Sequence, residues 1–417
     1  MFWQLGLLLF SFGSLIVLYI VPHLAIYFQI DEIIYPTDFR SDFLWANLLI
    51  CMVPFILSLK KIDIRKTYLK PKIIPDLYFF PLLVLFWIFL IIFFGGFSYR
   101  INDVLYGYES RGFLVDSLLS LTSIITVSLC VILLRIEKFS IFEKVFFSLI
   151  ALLFISIQIL NGSRGYLLIF LLTVFLSRLL LNLFLKNKNK PISVLTIISK
   201  NFRVRYFIIF LLIIYIFSLW GVARAQTEGF GFSGELESVP LFALIFRLSE
   251  PYWAYSLSVF NESGLNFDIL VGSFERILSI PGRLVGFNYD FSIAGNNFLI
   301  DKYLGIPFRE GVSLPITLAG EGFLFNGFLG AIFYYFMASL MIIAIFKLLE
   351  FLLKIDLYIY IVFIAATVVK CFLLYSQSLS GVFLVLFYET FRDLFLLFFI
   401  ILPFHILNNK AIVAKGP

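Results

Sequence analysis

Long apolar runs dominate the chain and are separated by short polar segments. A helix needs about 20 apolar residues to cross the hydrocarbon core of a bilayer, because it rises only about 1.5 Å per residue. Several runs meet or approach that length, so the pattern predicts about ten membrane-spanning helices. The predicted spans are 2–29, 43–59, 76–97, 117–134, 145–160, 166–185, 206–222, 322–346, 355–376 and 382–403.

Basic residues indicate which polar segments face the cytoplasm. The loop 60–72 holds six basic residues and one acid, and the loop 186–205 holds six basic residues and no acid. Cytoplasmic loops of membrane proteins carry an excess of Lys and Arg, so both loops are predicted to be cytoplasmic. Alternation of ten spans then places both termini in the cytoplasm.

Residues 221–321 form one outer region that is too long for an irregular loop. Within it, Val239–Phe260 is apolar but contains Arg247 and Glu250, and Asp268–Ile280 carries apolar residues on one helical face. Both segments are predicted to be helices that lie at the outer membrane interface or dip into it. The alternative is that this region adds two further spans, which would give twelve.

Composition limits the class of protein. Hydrophobic residues make up 61% of the 417, and the mean hydropathy is +1.02, which is typical of a polytopic membrane protein. We therefore expect an all-α fold with 1–417 as a single integral membrane domain. The basic residues behind the net charge of +6 lie between apolar runs, so no nucleic-acid partner is expected. Three cysteines inside apolar segments and only two histidines predict no metal and no cofactor.

The basic residues are sorted by type as well as by side. The predicted cytoplasmic side carries fifteen Lys and five Arg, whereas the outer side carries nine Arg and one Lys, Lys302. Arg binds carboxylate or phosphate with a planar two-donor fork, and Lys does so as a hydrated point charge. The outer Arg set therefore indicates an anionic ligand on that side.

The turn Asn161-Gly162-Ser163-Arg164-Gly165 lies between two predicted spans on the outer side. Arg164 is predicted at the N-terminus of the sixth helix, where free backbone amides and the helix dipole favour a phosphate or pyrophosphate. The alternative is a tight turn whose Arg reaches the lipid headgroups.

Five more outer arginines lie within 221–321, together with eleven acidic residues. Arg247 and Glu250 are three residues apart and are expected to pair. Arg283 follows Pro281-Gly282 and Arg309 follows Pro307, so both are expected on bends rather than on helix faces. The five arginines are Arg224, Arg247, Arg276, Arg283 and Arg309.

The stretch from Leu314 to Gly330 opens the eighth predicted span. Glu321 is expected at the outer N-terminus of that helix, where the helix dipole favours a negative charge. Its carboxylate could accept a proton from a sugar hydroxyl, or it could serve as a cap. Gly327 and Gly330 offer a small-residue face for close helix packing.

The last span contains Glu389, Arg392 and Asp393. Charges at membrane depth must face protein or water. The spacing of three residues predicts an ion pair between Arg392 and Glu389, and Arg392 is also a candidate contact for an anionic ligand.

With these features, the chain resembles the Wzy-type polymerases of O-antigen and oligosaccharide repeat units. The resemblance covers the topology, with its large outer region late in the chain, and two short stretches. These are 161–165 and the P-x-x-x-x-G-E-G-F-x-x-N-G-x-x-G pattern of 315–330. It implies a metal-independent, GT-C-like glycosyltransferase of a bacterial inner membrane whose active site faces outward. The donor would be a glycan on undecaprenyl pyrophosphate and the acceptor the next lipid-linked repeat unit, with membrane lipids and a chain-length regulator protein as further partners.

That chemistry assigns roles to the candidate residues. Arginines would stabilise the leaving pyrophosphate, with Arg164 first and with Arg247 and Arg392 as further contacts. A carboxylate would act as the base, because 221–321 contains no His. The candidates for pyrophosphate binding without an obvious local acid are Arg164, Arg224, Arg283 and Arg309, and the candidates for the base are, in order, Glu321, Glu250 and Glu310.

Three other functions stay open. A flippase or transporter of lipid-linked sugar would be indicated by inverted repeats and broken helices, and the sequence shows no internal symmetry. An O-antigen ligase usually carries a His in its large outer loop, which this chain lacks. A non-catalytic scaffold or an acyltransferase-like modifier is the third alternative, and neither His has an acidic neighbour that would suit acyl transfer.

Overall fold

A computed structural model describes most of the predicted helices. Within the part of the chain that it describes, all regular secondary structure is helical. The described residues are 2–27, 42–59, 79–93, 118, 121–160, 164–186, 265–284, 317–353 and 357–399.

The helices coincide with nine of the ten predicted spans, and the remaining span, 206–222, lies outside the described residues, as does Val239–Phe260. The elements are α1 (Phe2–Leu15), a π turn (Ile16–Ile20), α2 (Val21–Tyr27), α3 (Asp42–Ser58), α4 (Phe79–Phe93), α5 (Thr122–Leu134), α6 (Ile141–Leu160), α7 (Arg164–Lys186), α8 (Phe267–Leu284), α9 (Leu318–Leu352), α10 (Leu357–Phe372), α11 (Leu379–Phe383), a second π turn (Leu384–Tyr388) and α12 (389–399).

The helices have the length and composition of a membrane protein. Among the described residues, Phe2–Leu24, Ile141–Gln158 and Leu318–Leu352 are long and apolar enough to cross a bilayer. Shorter apolar helices accompany them at Trp45–Ser58, Phe80–Phe93, Thr122–Leu134, Leu167–Asn182 and Leu357–Phe372. The protein is therefore a helical membrane protein, whereas the count of ten spans and their orientation stay predictions.

The described chain divides into two compact units. The first unit comprises Met1–Lys61, Phe202–Ile345 and Lys370–Phe387. The second comprises Ile62–Asn201, Phe346–Val369 and Tyr388–Pro417.

In the first unit, a proline explains the π turn between α1 and α2. Pro22 has no backbone N–H, so it cannot donate to the carbonyl of Leu18 four residues earlier. The helix widens here, and Val21 N donates to Ile16 O, five residues back. The fully buried Asn47 of α3 donates from its side chain to Leu18 O at 3.1 Å, which satisfies the carbonyl. One polar side chain thus supplies a donor to the carbonyl at the π turn and hydrogen-bonds α3 to the first helix.

The same unit brings α1 against the end of α10 and the middle of α9. A Cβ added at Gly13 would collide with the carbonyl oxygen of Phe372, so only glycine allows this approach. The hydroxyl of Tyr335 donates to Ser14 Oγ at 3.1 Å, and the Tyr335 ring stacks on Phe10 with centroids 5.0 Å apart. Close backbone packing and one buried hydrogen bond hold these helices together.

Aromatic packing forms the core of the second unit. Trp87 of α4 is buried, and its Nε1 donates to Leu118 O at 2.8 Å. Its ring lies 5.8 Å from that of Phe154 on α6, which lies 5.3 Å from Phe170 on α7. The indole nitrogen is hydrogen-bonded while the rest of the side chain is buried, as a membrane interior requires.

Candidate functional site

The 315–330 pattern folds into a tight helical hairpin rather than one straight helix. Asn326 and Gly327 leave helical geometry, and Gly327 has a φ of 53° that favours glycine. Residues 322 and 330 would be about 12 Å apart along a continuous helix at 1.5 Å per residue. Instead, a Cβ on Gly322 would lie 2.7 Å from the carbonyl oxygen of Gly330. The short arm, 318–325, therefore folds back on the start of the long arm, 328–352.

This geometry corrects the expected role of the glycines. Gly327 and Gly330 were predicted to share a packing face, but Gly327 is the residue at which the chain reverses. The close contact pairs Gly330 with Gly322, and a Cβ at either position would meet backbone of the opposite arm. The short arm cannot cross a membrane by itself, whereas the long arm, about 37 Å at 1.5 Å per residue, can.

Glu321 lies on the short arm and is fully buried. Thr317 caps this arm, since its Oγ1 accepts from Gly320 N at 3.0 Å, so Glu321 lies in the first turn. Its Oε2 accepts from the backbone amide of Leu379 at 2.6 Å, and its Oε1 accepts from Ser273 Oγ. Leu379 is the first residue of α11. The sequence left a cap or a proton acceptor open for Glu321, and the structure shows a capping contact, made to a helix that begins 58 residues later.

Ser273 connects this carboxylate to α8. Its hydroxyl also lies 2.9 Å from Ile269 O and 3.3 Å from the Tyr334 hydroxyl on the long arm. One residue before α8, Asn266 N donates to Phe325 O at 2.7 Å, where the short arm ends. Two hydrogen bonds therefore attach this end of α8 to the short arm.

The structure corrects the prediction for α8 in two ways. The helix continues through Pro281-Gly282 to Leu284, so Arg283 is helical and does not lie on a bend. Proline loses one hydrogen bond here but has a φ that fits a helix. The predicted apolar face also splits, because Ile269 is buried while Phe274 and Leu278 are exposed. The buried side of α8 includes the polar Ser273, and its exposed residues include both apolar side chains and the acidic Asp268 and Glu275, as on an amphipathic helix at an interface.

Arg164 is the first residue of α7, as the sequence predicted. Sequence reasoning missed Gln158, which lies on α6 two residues before that helix ends. Gln158 is 1% exposed, and its Nε2 has no hydrogen-bond partner in the part of the chain that the structure describes. The sequence did contain a feature that could have drawn attention to Gln158, namely an amide side chain in an apolar helix within one turn of the 161–165 stretch.

Arg392 pairs with Asp393 rather than in the predicted pair with Glu389. Its Nη2 lies 3.1 Å from Asp393 Oδ1, and its Nε lies 3.3 Å from the same oxygen. The other oxygen of the buried Asp393 accepts from Ser123 Oγ on α5.

Other predicted site residues are located only in part. Arg224, Arg247, Glu250, Arg309 and Glu310 lie outside the described residues. For Arg164, Arg276 and Arg283 the structure gives the helical position alone.

Among the described residues, no group of three or more His, Cys, Asp or Glu side chains could hold a metal ion. The three cysteines are free and buried. Comparison with known protein families, curated proteins and solved structures finds no match.

Proposed function

We propose that the protein is a metal-independent glycosyltransferase that polymerises oligosaccharide repeat units linked to a polyprenyl pyrophosphate, on the outer face of a bacterial inner membrane. The observation that carries the proposal is Arg164 at the N-terminus of α7. A helix of 23 residues begins there, and the backbone amides of a helix N-terminus together with an arginine at the first position suit a pyrophosphate.

Gln158 adds a second group to this candidate site. An amide that is buried without a partner costs stability, so its presence calls for an explanation. A bound phosphate oxygen would supply the missing acceptor for Nε2. Gln158 is near the end of α6 and Arg164 is the first residue of α7, six positions later, and we propose that one anion engages both.

The proposed reaction needs two kinds of group. A hydroxyl of the acceptor sugar attacks the anomeric carbon of the donor glycan, and the bond from that carbon to the pyrophosphate oxygen breaks. Arginines stabilise the charge on the departing pyrophosphate, and a carboxylate takes the hydroxyl proton. Glu250 and Glu310 are the candidates for that base, since the described oxygens of Glu321 already accept hydrogen bonds in a buried position.

The test is a glycan size profile from a deletion strain that carries single variants. Arg164→Ala should yield only single repeat units from a folded, inserted protein, and Arg164→Lys should also shorten the glycan if two-donor geometry matters. Arg178→Ala is the matched control on the same helix, because its pair with Glu137 at 3.2 Å is exposed and worth little. Full-length glycan from Arg164→Ala would refute the site.

The break in α9 is the one observation that favours a flippase, since broken helices line substrate paths in many transporters. The deletion strain separates the two functions. If single repeat units still reach the cell surface without this protein, another protein moves them across the membrane. Retention of those units inside the cell would favour the flippase, and polymer that forms normally but stays unattached to its final acceptor would favour a ligase.

A further inference from the structure

Three separate parts of the first unit meet at the carboxylate of Glu321. The carboxylate belongs to the short arm, accepts from Ser273 on α8 and accepts from the amide of Leu379 at the start of α11. α8 also packs directly against α11. One side chain therefore connects three elements that are far apart in the sequence, and we name this arrangement the Glu321 clamp.

The clamp engages both oxygens of the Glu321 carboxylate. Glu321 lies in the first turn of the short arm and accepts from the first amide of α11. A general base must come within hydrogen-bond reach of the proton that it removes. Both oxygens of Glu321 already have donors, and the side chain is fully buried.

The clamp also sets the position of α8. The side of α8 opposite the clamp is exposed at Val271 and Leu278, so the described hydrogen bonds to the short arm hold this helix from one side. Positions 276 and 283 on the same helix are arginines, and a separation of seven residues places them along one stripe. A shift of α8 would move both arginine positions together.

We propose that Glu321 is a positioning residue that fixes α8, and with it Arg276 and Arg283, and that it does not take the acceptor proton. This inference rests on the proposed polymerase function. It reassigns the residue that the sequence alone placed first among the candidate bases.

Glu321→Gln separates positioning from base catalysis. The Ser273 hydroxyl has one hydrogen and can direct it to Ile269 O, which is already 2.9 Å away. Ser273 Oγ can then accept from the new amide nitrogen, while the amide oxygen keeps the Leu379 N–H. The clamp thus survives without charge, so we expect polymerisation within about threefold of wild type and an unchanged pH–rate profile. Loss of a general base would instead cost about 10²–10⁴-fold.

Glu321→Ala and Ser273→Ala break the clamp from its two sides. Each should shorten the glycan strongly, and the double variant should be no worse than the more severe single one, since both remove the same link. Ser273→Ala is the milder change and remains informative if Glu321→Ala does not fold.

A distance measurement reports the position of α8 without any reference to activity. Spin labels on Leu278→Cys and Leu329→Cys would be accessible, since both positions are exposed and the three native cysteines are buried. Glu321→Gln should keep the wild-type distance distribution, and Ser273→Ala should broaden or shift it.

Two results would overturn the assignment. One is a loss of at least about 10²-fold in Glu321→Gln with an unchanged distance, which would make Glu321 the base. The other is an unchanged distance in both alanine variants. If purified wild-type protein forms no polymer from lipid-linked repeat units, the polymerase proposal fails, while the spin-label distances still decide whether Glu321 holds α8.

Discussion

Glu321 in the first unit and Asp393 in the second are both buried carboxylates in apolar helices, and both accept a hydrogen bond from a serine. Their second contacts differ. Glu321 accepts from a backbone amide at a helix start, whereas Asp393 accepts from the guanidinium of Arg392. In the first case the described donors are neutral, and in the second the carboxylate balances a full positive charge.

The difference predicts how each site responds to loss of charge. A neutral amide can replace a carboxylate that is held by neutral donors, because the hydroxyl donor can reverse its direction. It cannot replace the partner of a partly buried cation, because that cation would lose its charge compensation. A carboxylate held by neutral donors, such as Glu321, is suited to joining helices. A carboxylate paired with an arginine, such as Asp393, is suited to keeping that charge within the membrane protein.

The largest loss of stability should come from disrupting the close backbone contact between the two arms of the hairpin that contains Glu321. In Gly322→Ala the new Cβ would lie 2.6 Å from Cα of Ala331, so the two arms must separate. We expect a loss of about 3 kcal/mol, near the upper end for overpacking, measured as thermal unfolding in detergent. In the control, Gly381→Ala, the nearest atom is the movable Oε1 of Gln377, at 2.8 Å. Equal stability of the two variants would mean that the hairpin is not packed as described.

The next largest effect tests the two carboxylates directly. Asp393→Asn should cost about 2 kcal/mol, less than a fully buried pair because Arg392 is 23% exposed. Glu321→Gln should cost less than about 1 kcal/mol, since its hydrogen bonds persist. Arg392→Gln combined with Asp393→Asn should recover part of the loss by removing the cation as well. Equal costs for the two single variants would remove the distinction between the sites.

The smallest expected change in stability comes from Gln158→Leu, but this variant should have a clear effect on glycan length. Gln158→Leu removes a buried amide without a described partner and should raise stability by about 1 kcal/mol. It should also shorten the glycan, if the amide binds the pyrophosphate. Thr173→Val is the control, because its buried hydroxyl on α7 also lacks a partner among the described residues. It should gain stability and keep full-length glycan, whereas unchanged glycan in Gln158→Leu would exclude that residue from the site.

The local features of the fold could be predicted from the sequence. Apolar runs of the right length predicted the helices of nine spans that the structure describes, and the 161–165 stretch predicted the start of α7 at Arg164. The bend predicted at Pro281-Gly282 was wrong, whereas the bend predicted near Pro307 lies outside the described residues. Pro281 did not end α8, while Pro22 produced a π turn whose carbonyl is satisfied by Asn47, 29 positions from Leu18.

The membrane class and the helices could be predicted from the sequence, because hydrophobicity and helix length are properties of each segment. The sequence also singled out Glu321 and the 315–330 pattern that contains Gly327 and Gly330. The contacts that these residues make could be seen only in the folded structure. The contact of Gly322 with Gly330 and the reach of Glu321 to Leu379 depend on which elements come together, and a buried carboxylate acquires its role from the donors that surround it.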